Sequence, residues 1–439
     1  MQKKLFLKIT LVVLLLFVFT TASAAQVTIE YWTTQPEEER VVKINELIDR
    51  FEADNPQYNI ELIAVQEDDI PTRLAAGMAA GRLPSLIEMG TENILGLGHE
   101  GTLDSEAAYE VVSSIGEDEF FEGALKMLND PSGGYFAVPF YGWVQGIWYR
   151  EDLFEERGLE APTNWDAVLK AAVEFYNPRE QQYGIVIGTD RDSFARQTFT
   201  PFALSNNARI FDEGGNIIFD SPEMIETLDF YGRLAEFTPP GPNGWRDARD
   251  LYLSGRVPMM IYSSYIMGDI GIGDTGYDGA HGSIVEDLVN KTNFANTMEN
   301  RTKASFGQIS GLAFVKNEDE EKTAGVKEFA KFLLTDQTYI EFLHMAPGGM
   351  NPVLKATAED SRYQDHEILN AWGDTSTVIA GGLNNIGQFG NQDGIVFPEM
   401  GAIANQFIIG QSIMNITERG WSAERTAEWA QQQMKNAVE

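Results

Sequence analysis

Residues 27–32 (VTIEYW), 59–65 (NIELIAV) and 86–89 (LIEM) are three short β-rich stretches, and their spacing decides the fold. Apolar residues recur at helical spacing over residues 41–51, between the first two stretches, and a second helix is predicted over residues 70–80. The order strand, helix, strand, helix, strand is typical of an α/β domain with a mostly parallel sheet. Such sheets carry their ligand-binding loops at the carboxyl ends of the strands.

A second α/β region is predicted in the middle of the chain. Residues 137–141 and 146–149 are expected to form two strands, and residues 184–187 a third. Thr163 is expected to cap the helix between them, and Ser221 the helix that comes later. The chain therefore contains enough strand and helix signals for two α/β units.

Residues 1–25 have the features of a secretory signal peptide. Three lysines (Lys3, Lys4 and Lys8) precede an apolar run from Leu11 to Phe19, and a small-residue site follows at residues 22–24 (ASA). The run is far shorter than the ~20 residues that cross a bilayer, so cleavage near Ala24 is expected, with an uncleaved anchor as the alternative. Because the sequence has no cysteine, it has no lipoprotein cysteine, and a free periplasmic protein is expected.

The composition indicates the size and the surface of the molecule. Even without residues 1–25, the chain exceeds the roughly 250–300 residues at which one core stops growing, so two lobes are expected. Asp and Glu number 66 against 32 Lys and Arg, which gives a net charge of −34. Such a surface repels nucleic acid and anionic lipid, so no nucleic-acid partner is expected. The acidity indicates a highly soluble surface, or alternatively a docking face for a partner, and we expect a monomer.

The sequence lacks the complete motifs for catalysis and for cofactor binding that we considered. Residues 271–276 match G-x-G-x-x-G, but residues 277–282 (YDGAHG) cannot supply the helix that a dinucleotide site needs. The chain has neither an H-E-x-x-H pair nor a G-x-S-x-G elbow, and the absence of cysteine excludes thiol chemistry and disulfides. Carboxylate pairs carry little weight in so acidic a chain. We therefore expect no catalytic residues, no cofactor and no metal.

A series of short motifs follows one another along the mature sequence. They are residues 29–32 (IEYW), 51–56 (FEADNP), 79–86 (AAGRLPSL), 138–154, 157–166 (RGLEAPTNWD), 255–260 (GRVPMM), 329–336 (FAKFLLTD) and 351–353 (NPV). In this order they resemble the extracellular solute-binding proteins of ABC sugar importers, the group of the maltose- and trehalose-binding proteins. The resemblance spans the mature chain, with Ser85 where the family usually has Asp.

The resemblance implies an α/β periplasmic-binding-protein fold, in which two α/β lobes enclose a ligand cleft and the chain crosses the hinge several times. On sequence alone, the strand region at residues 306–315 and the helix at residues 323–334 could join either lobe. The family pattern implies that residues 25–142 and 261–352 form lobe 1 and that residues 143–260 and 353–439 form lobe 2. Closure of the lobes on the ligand is expected.

A sugar presents many hydroxyls and a flat C–H face, so its site needs planar polar side chains and aromatic platforms. Matching the contact loops of the family implies sixteen candidate ligand-binding residues: Gln35, Glu37, Glu38, Thr91, Glu92, Asn93, Trp143, Arg196, Gln197, Ser263, Ser264, Tyr265, Gly349, Asn351, Phe397 and Glu399. Trp143 stands where relatives often carry an acid, which favours stacking there. Arg196 and Gln197 are expected to precede a helix that begins near Thr200 and Pro201. Trp165 is expected to pack in a core, and Trp245 is assigned to packing by default.

The function implied by the resemblance is capture of a sugar or oligosaccharide and its delivery to a membrane-embedded ABC importer permease. One alternative is a binder of a phosphorylated polyol such as a glycerol phosphate ester, which needs two or more Arg or Lys side chains converging in the cleft. Only Arg196 is an obvious candidate for that role. A second alternative, a secreted carbohydrate-active enzyme, needs two buried carboxylates ~5–9.5 Å apart across the ligand.

Overall fold

The structure is a computed structural model that describes residues 26–272, 284–392 and 395–439. Most of the G-x-G-x-x-G match at residues 271–276, like the signal peptide, lies outside the described residues. The strands are β1 (Val27–Thr33), β2 (Tyr58–Ala64), β3 (Leu86–Gly90), β4 (Val138–Arg150), β5 (Met259–Ser263), β6 (Thr292–Ala295), β7 (Met298–Glu299), β8 (Lys303–Phe314), β9 (Asn351–Pro352), β10 (Ile386–Gly387), β11 (Asn391–Gln392) and β12 (Ile395–Val396).

The helices cover both faces of the strands. In the first half of the chain they are α1 (Glu38–Asp54), α2 (Ile70–Ala80), α3 (Thr91–His99), α4 (Ser105–Ile115), α5 (Glu122–Met127), α6 (Glu151–Arg157), α7 (Trp165–Phe175), α8 (Ser193–Ser205) and α9 (Pro222–Ala235). They continue as α10 (Trp245–Leu253), α11 (Ile266–Ile272), α12 (Glu320–Leu333), α13 (Asp336–Leu343), α14 (Lys355–Glu359), α15 (Ser361–Gln364), α16 (Glu367–Trp372), α17 (Asp374–Gly381), α18 (Met400–Asn405), α19 (Ile408–Thr417) and α20 (Ala423–Val438).

The first α/β unit forms as the sequence predicts. Strand β1 pairs in parallel with β2 and with β3, and α1 and α2 connect them. Helix α2 ends at Gly81, whose φ of 62° is the left-handed conformation that glycine adopts readily. Residues 91–93 begin helix α3 directly after β3, where the sequence predicted only the end of a strand.

One long curled sheet joins the two halves of the molecule, in the order β2-β1-β3-β8-β4-β5. Strands β4 and β8 run antiparallel, with Val138 opposite Leu312 and Gln145 opposite Phe306. The sequence predicted two strands at 137–141 and 146–149, and this was wrong, because β4 is one continuous strand. Its glycines look like breaks in the sequence, yet at Gly146 an added Cβ would lie 2.3 Å from a backbone oxygen of β6's Ala295, so glycine permits close pairing there.

Three further local predictions needed correction. Residues 184–187 form no strand and make a single parallel bridge, from Val186 to Met260. Asn164 rather than Thr163 caps α7, because its side chain accepts a hydrogen bond from the Ala167 amide. Ser221 does cap α9, as predicted.

The position of α8 also differs from the sequence-based expectation. Arg196 and Gln197 were expected to precede a helix that begins near Pro201, but they lie inside α8. Asp192 starts this helix by accepting a hydrogen bond from the Ala195 amide, and Pro201 is accommodated in its interior. Both residues therefore project from a helix and not from a loop.

The chain returns to each half of the molecule after leaving it. Helix α12, which follows β8, packs against β1 and α4, whereas α19 and α20 pack against α8 and α9. In the described ranges no helix has both the length and the apolar character required to cross a membrane. The architecture consists of two α/β lobes connected by the long strands β4 and β8.

Candidate ligand-binding cleft

A cavity of about 340 Å³ lies beside strand β4, where the two lobes meet. It follows the carboxyl ends of β1 and β2, the position that the parallel order of these strands predicts. The residues that line it fall within segments 34–40, 66–67, 141–145, 193–197, 245–249 and 262–269, together with Ser310.

Aromatic rings form much of the cavity wall: Tyr141, Trp143, Phe194, Trp245, Tyr262 and Tyr265. The Trp143 ring is buried and packs edge-on against Phe306, with 5.7 Å between the ring centroids. Burial raises the pKa of the Tyr141, Tyr262 and Tyr265 hydroxyls, so all three remain protonated at neutral pH. The cavity thus combines flat apolar surfaces with neutral hydroxyl groups.

Side-chain amides and hydroxyls occupy the spaces between these rings: Thr34, Gln35, Gln66, Gln145, Ser193, Gln197, Ser263 and Ser310. Each of these groups can both donate and accept a hydrogen bond, as can the hydroxyls of a polar neutral solute. Gln145 is 1% exposed, and neither its side-chain nitrogen nor its oxygen has a hydrogen-bond partner among the described residues.

The Glu88 carboxylate anchors the start of the cavity-lining segment 34–40, which follows β1. This fully buried carboxylate accepts hydrogen bonds from the Thr33 and Thr34 hydroxyls and, at 3.1 Å, from the Thr34 amide. Gln35 Nε2 and the Tyr141 hydroxyl also donate to it, and Gln35 Nε2 lies 2.8 Å from the Tyr141 hydroxyl oxygen. Glu88 therefore fixes two cavity-lining side chains, Gln35 and Tyr141, relative to each other.

The cavity lining contains equal numbers of acidic and basic side chains. Three carboxylates (Glu37, Glu67 and Asp269) and three guanidinium groups (Arg40, Arg246 and Arg249) contribute to the wall. Arg249 pairs with Asp269 at 2.6 Å, and Arg40 pairs with Glu37 at 3.2 Å. Burial raises the pKa of Asp269, and the neighbouring Arg249 opposes that rise. The Arg246 guanidinium lies over the Trp245 ring, 4.1 Å from its centroid.

The structure brings some of the sixteen candidate residues together and separates others. Those that line the cavity are Gln35, Glu37, Trp143, Gln197, Ser263 and Tyr265. They come from four different segments of the chain, so the fold assembles them across long sequence separations. Whether they contact ligand remains a prediction.

The candidates at the start of α3 and in α8 contact each other instead of lining the cavity. The Thr91 hydroxyl donates to the Ile309 carbonyl at 2.8 Å, which ties α3 to β8. Glu92 forms an ion pair with Arg196 at 2.7 Å, and both side chains are about nine-tenths buried. These charges therefore neutralise each other inside the protein.

The loop at residues 346–351 supports the cavity from behind. Asn351 is buried, and its amide donates to the Gly142 carbonyl at 3.2 Å and lies 3.4 Å from the buried Ser264 hydroxyl. At Gly349 an added Cβ would lie 2.4 Å from the Tyr265 ring. Ser264, Gly349 and Asn351 thus position Tyr265 and β4 but do not belong to the cavity lining.

The remaining candidates lie elsewhere. Glu38 is exposed at the start of α1, and Asn93 is half-buried in α3. Phe397 stacks on Phe211 with 4.8 Å between centroids, and Glu399 precedes α18. None of the four belongs to the cavity lining.

Sequence reasoning missed several lining residues, most clearly Tyr141, Gln145, Trp245 and Arg249. Alternation along β4 could have found the first two, because side chains at 141, 143 and 145 lie on one face of a strand. Trp245, which was assigned to packing by default, does pack against the core, but it also lines the cavity. Trp165 does pack in the core, stacked on Phe230 at 4.1 Å.

Two α/β lobes with a polar and aromatic cavity between them define a solute-binding protein. The sequence matches the family of bacterial extracellular solute-binding proteins over residues 36–340, and the chain belongs to this family. It is 30% identical over 414 residues to the putative ABC transporter periplasmic-binding protein YcjN of Escherichia coli (strain K12), covering 94% of this chain and 93% of that protein.

Solved structures share the fold. A solute-binding protein from Agrobacterium radiobacter K84 in complex with ribitol has a TM-score of 0.75 and 20% identity, with 94% of this chain and 99% of that chain covered. Maltose-bound MalE3 from T. maritima has a TM-score of 0.74 and 19% identity, with 93% and 99% covered. The predicted periplasmic-binding-protein fold and family are confirmed, and the family consists of binding proteins.

Proposed function

We propose that this protein captures a neutral sugar or sugar alcohol in the cavity between its lobes and delivers it to a membrane-embedded ABC importer permease. The observation that carries the proposal is the lining itself, in which six aromatic rings alternate with amides and hydroxyls. Rings cover the C–H faces of a sugar, while amides and hydroxyls replace the water that its hydroxyls lose. The ligands bound in the two structural neighbours, ribitol and maltose, belong to the same chemical class.

The balance of charge favours a neutral ligand over a phosphorylated polyol. Three arginines do line the cavity, more than the sequence suggested, but Arg40 and Arg249 each pair with a lining carboxylate. A phosphate recognised by convergent guanidiniums needs those groups free for bidentate contact. Arg246, held over Trp245, makes no ion pair with any residue in the described ranges. A single such cation supports a phosphate site less well than the balanced lining supports a neutral solute.

We also infer that the protein does not hydrolyse its ligand. A glycosidase needs one carboxylic acid and one carboxylate, both directed at the scissile bond. Two of the three carboxylates that line the cavity, Glu37 and Asp269, are engaged by arginines, which leaves fewer than the two that a glycosidase requires. Glu88 is surrounded by hydrogen-bond donors from Thr33, Thr34 and Tyr141. Incubating the purified protein with maltose and measuring released glucose should give no signal above buffer; turnover that is lost on Asp269→Asn would establish an enzyme.

The binding experiment is a calorimetric titration of the purified mature protein with ribitol, D-mannitol, maltose and glycerol 3-phosphate. We expect at least one neutral compound to bind with a Kd near or below the micromolar range, which corresponds to about 8 kcal/mol. Binding of glycerol 3-phosphate alone would replace the proposed function with the phosphorylated-polyol alternative. Binding of none of the four would contradict both.

The site of action and the partners belong to the same proposal. We propose cleavage after Ala24, a monomer in the periplasm, lobe 1 formed by residues 25–142 and 261–352, and lobe 2 by residues 143–260 and 353–439. The family's extracellular role supports the location. Mass spectrometry of the secreted protein gives the cleavage site, and light scattering gives the oligomeric state. Ligand-stimulated ATPase activity of the cognate permease in proteoliposomes tests delivery.

A further inference from the structure

Gln145 is an exception to the usual state of buried polar side chains, which are nearly always hydrogen-bonded. It is 1% exposed, and both Nε2 and Oε1 lack a partner. Among the residues that the structure describes, Gln145 is the only side chain whose amide nitrogen and oxygen are both fully buried and both without a partner. Gln35 and Gln388, by contrast, are buried and bonded, the latter through its donation to the Gly307 carbonyl at 2.5 Å.

The position of Gln145 explains what its amide faces. Tyr141, Trp143 and Gln145 alternate along β4 and line the same cavity. Gln145 lies opposite Ser263 of β5 on one side and opposite Phe306 of β8 on the other. At a rise of 3.3–3.4 Å per residue, the Cα atoms of Trp143 and Gln145 are roughly 7 Å apart along the strand. A molecule lying on Trp143 would therefore reach the amide with its edge.

We propose that Gln145 is a specificity-determining residue whose amide binds two neighbouring hydroxyls of the ligand, one through Nε2 and one through Oε1. This inference rests on the proposed function and names the side chain that selects among the possible ligands. One hydroxyl accepts from Nε2 while the other donates to Oε1, so a diol satisfies both atoms together. A fully ionised phosphate only accepts and a quaternary ammonium does not donate, so either would leave Oε1 without a partner.

If the Gln145 amide had a hydrogen-bond partner inside the protein, an entering ligand would have to displace that partner. Leaving the amide unpaired costs stability in the unliganded protein, because a buried polar group without a partner is unfavourable. The same arrangement strengthens binding, because the ligand supplies the missing hydrogen bonds without breaking any that exist. Replacing the Gln145 amide with an apolar group should therefore preserve or raise the stability of the unliganded protein and lower its affinity for ligand.

The test compares Gln145→Met with Gln388→Met, which makes the same change at a bonded buried glutamine outside the cavity lining. The probes are ribitol, D-mannitol, maltose and glycerol 3-phosphate, titrated by calorimetry, and each unliganded variant is melted. We expect Gln145→Met to melt at or above the wild-type temperature and to weaken the Kd of the bound neutral probe by roughly 10- to 100-fold. Gln388→Met should melt lower and keep its affinity.

Either of two results on these variants would overturn the inference while leaving the proposed function intact. The first is a Gln145→Met affinity within twofold of wild type for the neutral probe. The second is a loss of melting temperature in Gln145→Met as large as that in Gln388→Met, which would make Gln145 a structural residue. Failure of the wild-type protein to bind any neutral probe would instead reject the proposed function, and this inference with it.

Discussion

At the scale of single residues, two tryptophans with the same chemistry have opposite roles. Trp143 lines the cavity, whereas Trp165 stacks on Phe230 and donates through Nε1 to the Ser205 hydroxyl. We predict that Trp143→Ala weakens binding of a neutral sugar by roughly 1–3 kcal/mol, because it removes a stacking face and admits water to nearby hydrogen bonds. Its effect on the free energy of unfolding should be smaller, because one side of the ring faces the cavity.

Trp165→Ala is the matched control for this prediction. It should lower the free energy of unfolding by about 3–5 kcal/mol, as expected for a core tryptophan, and leave the affinity unchanged. Calorimetry and urea unfolding on both variants separate the two roles. Unchanged affinity with a large loss of stability in Trp143→Ala would place this residue in the core.

Gly349 lies behind the cavity and limits the position of the cavity residue Tyr265. Its φ angle is ordinary, but an added Cβ would lie 2.4 Å from Cδ1 and 2.8 Å from Cε1 of Tyr265. We predict that Gly349→Ala displaces the Tyr265 ring into the cavity and weakens sugar binding about tenfold. Calorimetric titration with the sugar found in the panel measures the effect.

Gly381, at the end of α17, is the control for Gly349. An added Cβ there has no neighbour within 4 Å among the described residues, so Gly381→Ala should bind as the wild type does. It should also be slightly more stable, because alanine favours helix over glycine. If both alanine variants bind equally well, Tyr265 does not contribute to affinity through its present position.

Part of the site is visible in the sequence at this scale and part is not. The family loops led to Gln35, Trp143 and Tyr265, which do line the cavity. They also led to Glu92 and Arg196, which are more than 100 positions apart in sequence and pair with each other in the structure. A charged residue in a contact loop looks the same in sequence whether it faces a ligand or another side chain. Only the three-dimensional packing distinguishes the two cases.

At the scale of elements, the helices and strands of the first α/β unit were predicted better than the long strands that join the lobes. The helix predicted over residues 70–80 ends where Gly81 stops it, because capping signals are local. Strand β4 was divided in two, because burial on both faces and interior glycines remove the alternation that marks a strand. The pairing of β4 with β8 depends on residues more than 150 positions apart, and no local pattern encodes it.

The pairing of α3 with α8 provides a prediction at the element scale. Glu92 and Arg196 connect these helices, and their side chains are only 11% and 8% exposed. We predict that Arg196→Met lowers the free energy of unfolding by about 3–5 kcal/mol, because it leaves the Glu92 carboxylate buried without a partner. The double substitution Arg196→Met with Glu92→Leu should recover most of that loss.

An exposed ion pair serves as the comparison. Arg301 contacts Glu226 at 2.5 Å, but both side chains are nearly half exposed, so Arg301→Met should cost less than about 1 kcal/mol. Urea unfolding of the three variants gives the answer. Equal small effects of Arg196→Met and Arg301→Met would mean that water reaches Glu92 and that the pair does not hold the helices together.

At the scale of the whole molecule, the cavity between the lobes implies a conformational response. Gln35 follows β1 and Trp245 begins α10, and both line the cavity. A ligand that contacts both residues binds best when the lobes are close together. We predict that a saturating neutral sugar lowers the radius of gyration in small-angle X-ray scattering. A sugar that fails to bind in calorimetry is the control and should change nothing. An unchanged radius with the bound sugar would contradict closure.

The surface charge gives the last prediction. With 66 acidic and 32 basic residues, repulsion among carboxylates opposes folding, and the surface ion pairs that salt would weaken contribute only about 0–1 kcal/mol each. The Debye length falls from about 30 Å at 0.01 M to about 10 Å at 0.1 M salt, so NaCl should raise the melting temperature. We expect a rise of roughly 2–4 °C, the shift that about 1 kcal/mol produces in a domain of 150–250 residues.

The shape of this salt response distinguishes screening from a general effect of concentrated salt. Because the Debye length has already fallen to about 10 Å at 0.1 M, most of the rise should occur at low ionic strength, and KCl should match NaCl. A melting temperature that falls on adding salt would mean that attractive ion pairs outweigh the repulsion. A rise that begins only near molar salt would come from exclusion of salt from the surface, and the excess of 66 acids over 32 bases would then carry little of the stability.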